Sequence, residues 1–154
     1  MQKLNVSTIL STWFGVGYIP IMPGTAGSLI ALPIAWIIIE SFGHAWFLAL
    51  LLSVLLLGII VSDQCRKRYK EKDPSRIVID EVVGQWVSVL FIAPDILYYS
   101  FGFVLFRFFD ILKPWPISWV DQHIENGLGI MLDDVLAGIF SLIILVIAFW
   151  LFGI

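Results

Sequence analysis

Two pairs of adjacent acids, Asp80-Glu81 and Asp133-Asp134, lie about one turn inside apolar runs of the chain. An ionised side chain there is costly unless it is paired, hydrated or bound to a metal. Each pair is followed at helical spacing by a glycine, Gly84 and Gly138, and small residues let neighbouring helices approach closely. Such an approach can bring the two pairs together. Converging carboxylates repel one another and need a cation. Hard oxygen ligands without Cys or His suit Mg2+ or Mn2+ better than zinc. Acids also favour helix N-termini through the dipole, which accounts for one carboxylate per helix but poorly for two embedded pairs. Asp80, Glu81, Asp133 and Asp134 are therefore the candidate metal ligands.

Arg107 and Asp110 are three residues apart, hence neighbours on a helical face. They suit a structural ion pair within the membrane. They equally suit a site in which Arg107 contacts phosphate oxygens while Asp110 orients it or binds metal. Lys113 either adds a point charge to such a site or snorkels to the interface. The stretch Pro23-Gly24-Thr25-Ala26-Gly27-Ser28 combines two glycines and two hydroxyls ahead of a helix N-terminus, as an anion-binding nest does. Alone, a glycine turn capped by Ser28 would explain it. Beside the acids and Arg107 it reads as the third element of a phosphoryl site, with Pro23, Gly24, Thr25 and Ser28 as phosphate contacts. It lacks the lysine of a Walker motif. The lone Cys65 gives neither an internal disulfide nor a zinc pattern, and Glu71 stands where a Cys-x5-Arg loop needs arginine.

Five apolar segments must position these groups: 28–42, 44–62, 77–93, 96–112 and 130–152. A full helical span needs roughly 20 residues, with about 17 as the lower limit. The second and fifth meet that easily, the third and fourth are marginal, and the first is short and interrupted by Pro33. Lys113-Pro-Trp-Pro116 ends the fourth, because proline lacks a donor and pushes its predecessor out of helical geometry. Residues 117–126 suit a short interfacial helix, with Ile117, Val120 and Ile124 on one face, and residues 4–19 an interfacial segment. The fold class expected is all-α: one polytopic membrane bundle over residues 1–154, with four to five apolar helices plus short interfacial ones.

Charge supports that topology. Six of the nine basic residues fall between Arg66 and Arg76, directly between two apolar segments. If that loop is cytoplasmic, alternation of the segments puts every other Lys and Arg, from Lys3 to Lys113, on the same side. The opposite connections carry only Glu40, His44 and Asp95. This is the positive-inside pattern, and it delivers all four polar clusters to one face while separating His44 from His123. A histidine pair or a Ser-His-Asp triad is thereby disfavoured. The composition agrees: 60% of the 154 residues are hydrophobic and 14% charged, against nearer half and a quarter in soluble domains. The short basic run reads as a juxtamembrane loop, not a nucleic-acid site. No cleavable signal peptide is expected from the Pro/Gly-rich stretch that precedes the first long apolar run.

Four blocks, in order, resemble the phosphatidylglycerophosphatase A family. They are Pro20-x-x-Pro-Gly-Thr-x-Gly-Ser28; Asp73-Pro74 with Ile77-Val-x-Asp-Glu81-x-x-Gly84; Phe106-Arg-x-x-Asp110-x-x-Lys-Pro-Trp-Pro-Ile117; and Gly127-x-Gly-Ile-Met-x-Asp-Asp134-x-x-Ala-Gly138. The resemblance implies an all-helical protein of the bacterial inner membrane. It implies Mg2+-dependent removal of the terminal phosphate of phosphatidylglycerophosphate, giving phosphatidylglycerol and inorganic phosphate. The expected catalytic set is Asp80, Glu81, Asp110, Asp133 and Asp134, with Arg107, Lys113 and the Thr25/Ser28 stretch on phosphate at the cytoplasmic face. A non-enzymatic cation carrier is the rival reading; it expects acids near mid-bilayer instead of at one end. The sequence leaves oligomeric state open.

Overall fold

The computed structural model describes residues 5–152, so Lys3 and Leu4, which entered the topology and interfacial-segment readings, lie outside the described residues. Among the described residues the order is α1 (Val6–Ser11), a 3-10 turn (Val16–Tyr18), α2 (Pro23–Phe42), α3 (His44–Tyr69), α4 (Ile79–Ser88), α5 (Ile96–Leu112), α6 (Ile117–His123) and α7 (Gly127–Phe152), with no strand. The all-α expectation holds. Helices α2, α3 and α7 are long and apolar enough to cross a membrane. With 17 residues, α5 sits at the lower limit.

Several boundaries differ from the hydropathy reading. Helix α3 runs on to Tyr69, so that Arg66, Lys67 and Arg68 lie on its last turn and not in a loop, and α7 starts at Gly127. Helix α2 starts at Pro23, ahead of the apolar run, because proline is preorganised for the first helical position. Residues 23–28 are thus the first turns of a helix and not a loop. The third apolar segment forms only a 10-residue helix, α4, which rises about 15 Å. Turn bonds then close its end: Val89 N to Trp86 O, Leu90 N to Val87 O and Ile92 N to Val89 O. A non-helical backbone at this depth is tolerated because Val89, Leu90 and Ile92 are buried in protein.

Helix α4 is the centre of the bundle. All its residues but Glu81 are buried, and α2, α3, α5 and α7 pack round it. Trp86 anchors it, donating Nε1–H to Ala31 O at 2.8 Å and meeting Phe47 and Trp13 edge-on. The outer surfaces of the long helices remain apolar, with Leu56, Phe101, Ile147 and Trp150 exposed. Contiguous apolar surface of this kind needs lipid around it. Helix α1 inverts the soluble pattern: Ser7, Thr8 and Ser11 face inward, Ser11 Oγ lies 3.0 Å from Cys65 Sγ, and Val6 and Ile9 face out.

The connections fix the helix ends. Gly43, at φ +85°, lies between α2 and α3, a conformation that favours glycine. Asp95 caps α5, accepting from the amides of Leu97 and Tyr98. Asp63 of α3 accepts from Gly127 N at 3.2 Å and so ties the start of α7 to the basic end of α3. The expected interfacial helix is α6, with Ile117 and Val120 buried.

Candidate active site

The N-termini of α2, α4 and α7 and the C-terminus of α5 meet at the basic end of the bundle. Backbone proximity makes this possible. A Cβ on Gly84 would lie 2.6 Å from Asp134 O, and one on Gly138 would collide with Gly84 O. Glycine at both positions lets α4 and α7 touch backbone to backbone, which carries Asp80 and Glu81 up to Asp134. One carboxylate oxygen from each of these three residues lies within 4.8 Å of the others. Asp80 Oδ1 and Glu81 Oε2 are buried without a hydrogen-bond partner. A Cβ on Gly24 would strike Glu81 Oε1, so the first turn of α2 lies directly on this carboxylate. Three converging carboxylates, two of them with a buried and unpartnered oxygen, are hard oxygen ligands that fit a small divalent cation.

The four-carboxylate set expected from the sequence is redrawn by one member. Asp133 turns away from the other three: its Oδ1 accepts from Asp134 N at 3.0 Å and its Oδ2 from Lys113 Nζ at 2.7 Å. Lys113 also donates to Asp121 Oδ1 at 3.0 Å. Instead of pointing at a phosphate, Lys113 joins α6 to α7. Burial works against its positive charge, but Asp133 and Asp121 outweigh it and hold the Lys113 pKa above the ordinary lysine value.

Arg107 is ion-paired to Asp110 and keeps a further face of its guanidinium unpartnered. Its Nη1 lies 2.5 Å from Asp110 Oδ2, yet neither Nη1 nor Nε is aligned for a hydrogen bond, and both are buried. Asp110 in turn neighbours Asp134 and Glu81 closely enough for their charges to interact. Thr25 Oγ1 is a further buried atom without a partner. Ser28 is different, because its hydroxyl donates to Gly24 O at 2.9 Å within α2. Pro23, with no N–H to offer, starts the helix whose free amides at Gly24 and Thr25 accompany the Thr25 hydroxyl.

Sequence reasoning passed over Asp121, which holds Lys113, and gave Asp73 no role. Asp73 shares a cleft with Asp121 and Asp133. It is exposed on one side, but the protein on its other side removes water and raises its pKa. Lys113 opposes that shift and Asp121 and Asp110 add to it. Their positions next to the Lys-Pro-Trp-Pro string and the Asp-Pro pair were the available signal.

The family model for "Phosphatidylglycerophosphatase A" matches residues 9–149. Over 142 residues the chain is 36% identical to the phosphatidylglycerophosphatase A of Escherichia coli, covering 92% of this chain and 82% of that protein. It is 39% identical over 154 residues to the phosphatidylglycerophosphatase A of Haemophilus influenzae, covering 98% and 94%. A Bacteroides thetaiotaomicron protein, named provisionally as a phosphatidylinositol-3-phosphatase, is 37% identical over 153 residues, covering 94% of each. No solved structure matches the chain. Because the family match takes in the three converging carboxylates, Arg107 and the start of α2, the chain belongs to the phosphatidylglycerophosphatase A family.

Proposed function

We propose that this protein hydrolyses the terminal phosphate monoester of phosphatidylglycerophosphate, releasing phosphatidylglycerol and inorganic phosphate at the cytoplasmic face of the bacterial inner membrane. The observation that carries the reading is one arrangement: three converging carboxylates, two with buried unpartnered oxygens, beside an arginine paired to Asp110, at the end of a lipid-facing bundle. The family supplies the substrate class. The cytoplasmic assignment rests on charge, since the basic residues from Arg66 to Arg76 flank the same end.

Asp80, Glu81 and Asp134 would hold Mg2+, which when bound supplies positive charge against the phosphate oxygens and lowers the repulsion felt by a nucleophile. Arg107 binds the phosphate through Nε while Asp110 holds its Nη1. The Gly24 and Thr25 amides and Thr25 Oγ1 bind it from the positive end of α2. With Oδ2 of Asp110 on Arg107, its Oδ1 takes the proton of the attacking water and returns it to the glycerol oxygen as the phosphorus–oxygen bond breaks. Asp133, Lys113 and Asp121 act behind these groups, fixing the start of α7 so that Asp134 stays turned inward.

The test is inorganic phosphate release by the purified protein in mixed micelles, with phosphatidylglycerophosphate, phosphatidylinositol 3-phosphate and phosphatidate compared at equal surface concentration. Preferred turnover of phosphatidylglycerophosphate is expected. Preference for the inositol lipid would transfer the reading to that substrate, and turnover of none would overturn it. A cation carrier is the poorer reading. It needs acids along a path to the far end, where Glu40, His44 and Asp95 are exposed and remote from the cluster.

A further inference from the structure

Helices α2 and α5 carry Thr25 and Arg107 at one end and then leave a groove of about 560 Å3 between them. Leu29, Pro33 and Ile37 of α2 and Ile96, Tyr99 and Ser100 of α5 form its sides. It is apolar even at its serine, whose hydroxyl is spent on Ile96 O at 2.7 Å. Trp36 and Tyr99, with ring centroids 5.4 Å apart, join the two helices within it.

Its depth matches a lipid tail. Along α2, Leu29 lies about 6 Å and Ile37 about 18 Å below Thr25. Along α5, Ser100 lies about 10 Å and Ile96 about 16 Å below Arg107. On both helices the groove runs down through one leaflet and ends near the bilayer midplane, which lies about 15 Å deep in a hydrocarbon core about 30 Å thick. A second groove, between α5 and α7 at Leu97 and Ile144, differs in one respect. Phe109 and Phe140, 5.6 Å apart, and the fully buried Phe106 close it off from the acids. Among the described residues no aromatic pair spans α2 and α5 on the way from the groove to Thr25 and Arg107.

We infer that the α2/α5 groove holds one acyl chain of the substrate lipid while its phosphate occupies the site. This rests on the lipid phosphatase reading above. The groove is then a determinant of chain-length preference, and α2 and α5 form the side through which lipid enters from the bilayer.

Two measurements test it. Ser100→Phe fills the groove from α5 at a position outside the catalytic machinery. It should lower kcat/KM for a dioleoyl substrate about tenfold relative to a dibutyryl one, the order expected for crowding a hydrophobic pocket. Ile144→Trp, in the α5/α7 groove, should leave that ratio unchanged. An unaltered ratio in Ser100→Phe, or an equal change in both variants, overturns the inference. Independently, phosphatidylglycerophosphate with a diazirine midway along one chain should label residues 29–37 and 96–100 of the wild-type protein, and excess unlabelled lipid should suppress it. Labelling spread evenly over α3 and α7 overturns the inference. Failure of the wild-type protein to turn over even the dibutyryl lipid counts against the phosphatase reading instead, and the labelling pattern still decides the groove.

Discussion

Asp133 and Asp134 are adjacent yet face different partners, and helix geometry is the reason. Successive residues point about 100° apart, so one carboxylate meets Asp80 and Glu81 while the other meets Lys113. Both pairs were legible in the sequence, because charge inside an apolar run is conspicuous. Their division was not, since it depends on which neighbour lies at each bearing. The distinction has consequences. Asp80→Asn or Asp134→Asn should lower kcat about 100-fold or more, as loss of electrostatic stabilisation does, while the protein still inserts and keeps its helical circular dichroism. Arg107→Ala should lower kcat/KM by a similar factor, whereas a purely structural arginine would show itself in yield and melting temperature. Lys113→Met leaves Asp133 buried without its cation and should cost about 1–3 kcal/mol of stability. The double variant Lys113→Met with Asp133→Asn should recover most of that in thermal melts.

At the level of helices, the close approach of α4 to α7 makes the site. Gly84 and Gly138 could be picked out beforehand because each follows its acids by one turn, and the structure places them at the point of contact. Gly84→Leu should separate the two helices. Expected results are loss of activity, a lower melting temperature in detergent and loss of Mg2+ protection against heating, although no acid is altered. Asp95→Ala removes a cap at the opposite end. It should cost about 1 kcal/mol in thermal unfolding with kcat unchanged. The boundaries of α2 and α4 were illegible for separate physical reasons. Proline at the first position starts α2 ahead of its apolar run. Helix α4 ends inside an apolar run where packing, not composition, closes the backbone.

For the whole molecule, five apolar segments correctly announced a helical membrane bundle, but hydropathy could not separate a span from a buried core helix. α4 is apolar because protein surrounds it, and α3 because lipid surrounds much of it. Clustering of the acids at one end followed from segment alternation and needed no coordinates. Only side-chain placement shows that three carboxylates converge and that the start of α2 covers them. The most direct measurement on that convergence is phosphate release from phosphatidylglycerophosphate as Mg2+ is removed with chelator and then restored, in wild-type protein and in Asp134→Asn. The expected result is wild-type turnover that falls to background with chelator and returns with Mg2+, while the variant stays near background throughout. Chelator-insensitive release, or a variant as active as wild type, would contradict a metal site built from Asp80, Glu81 and Asp134.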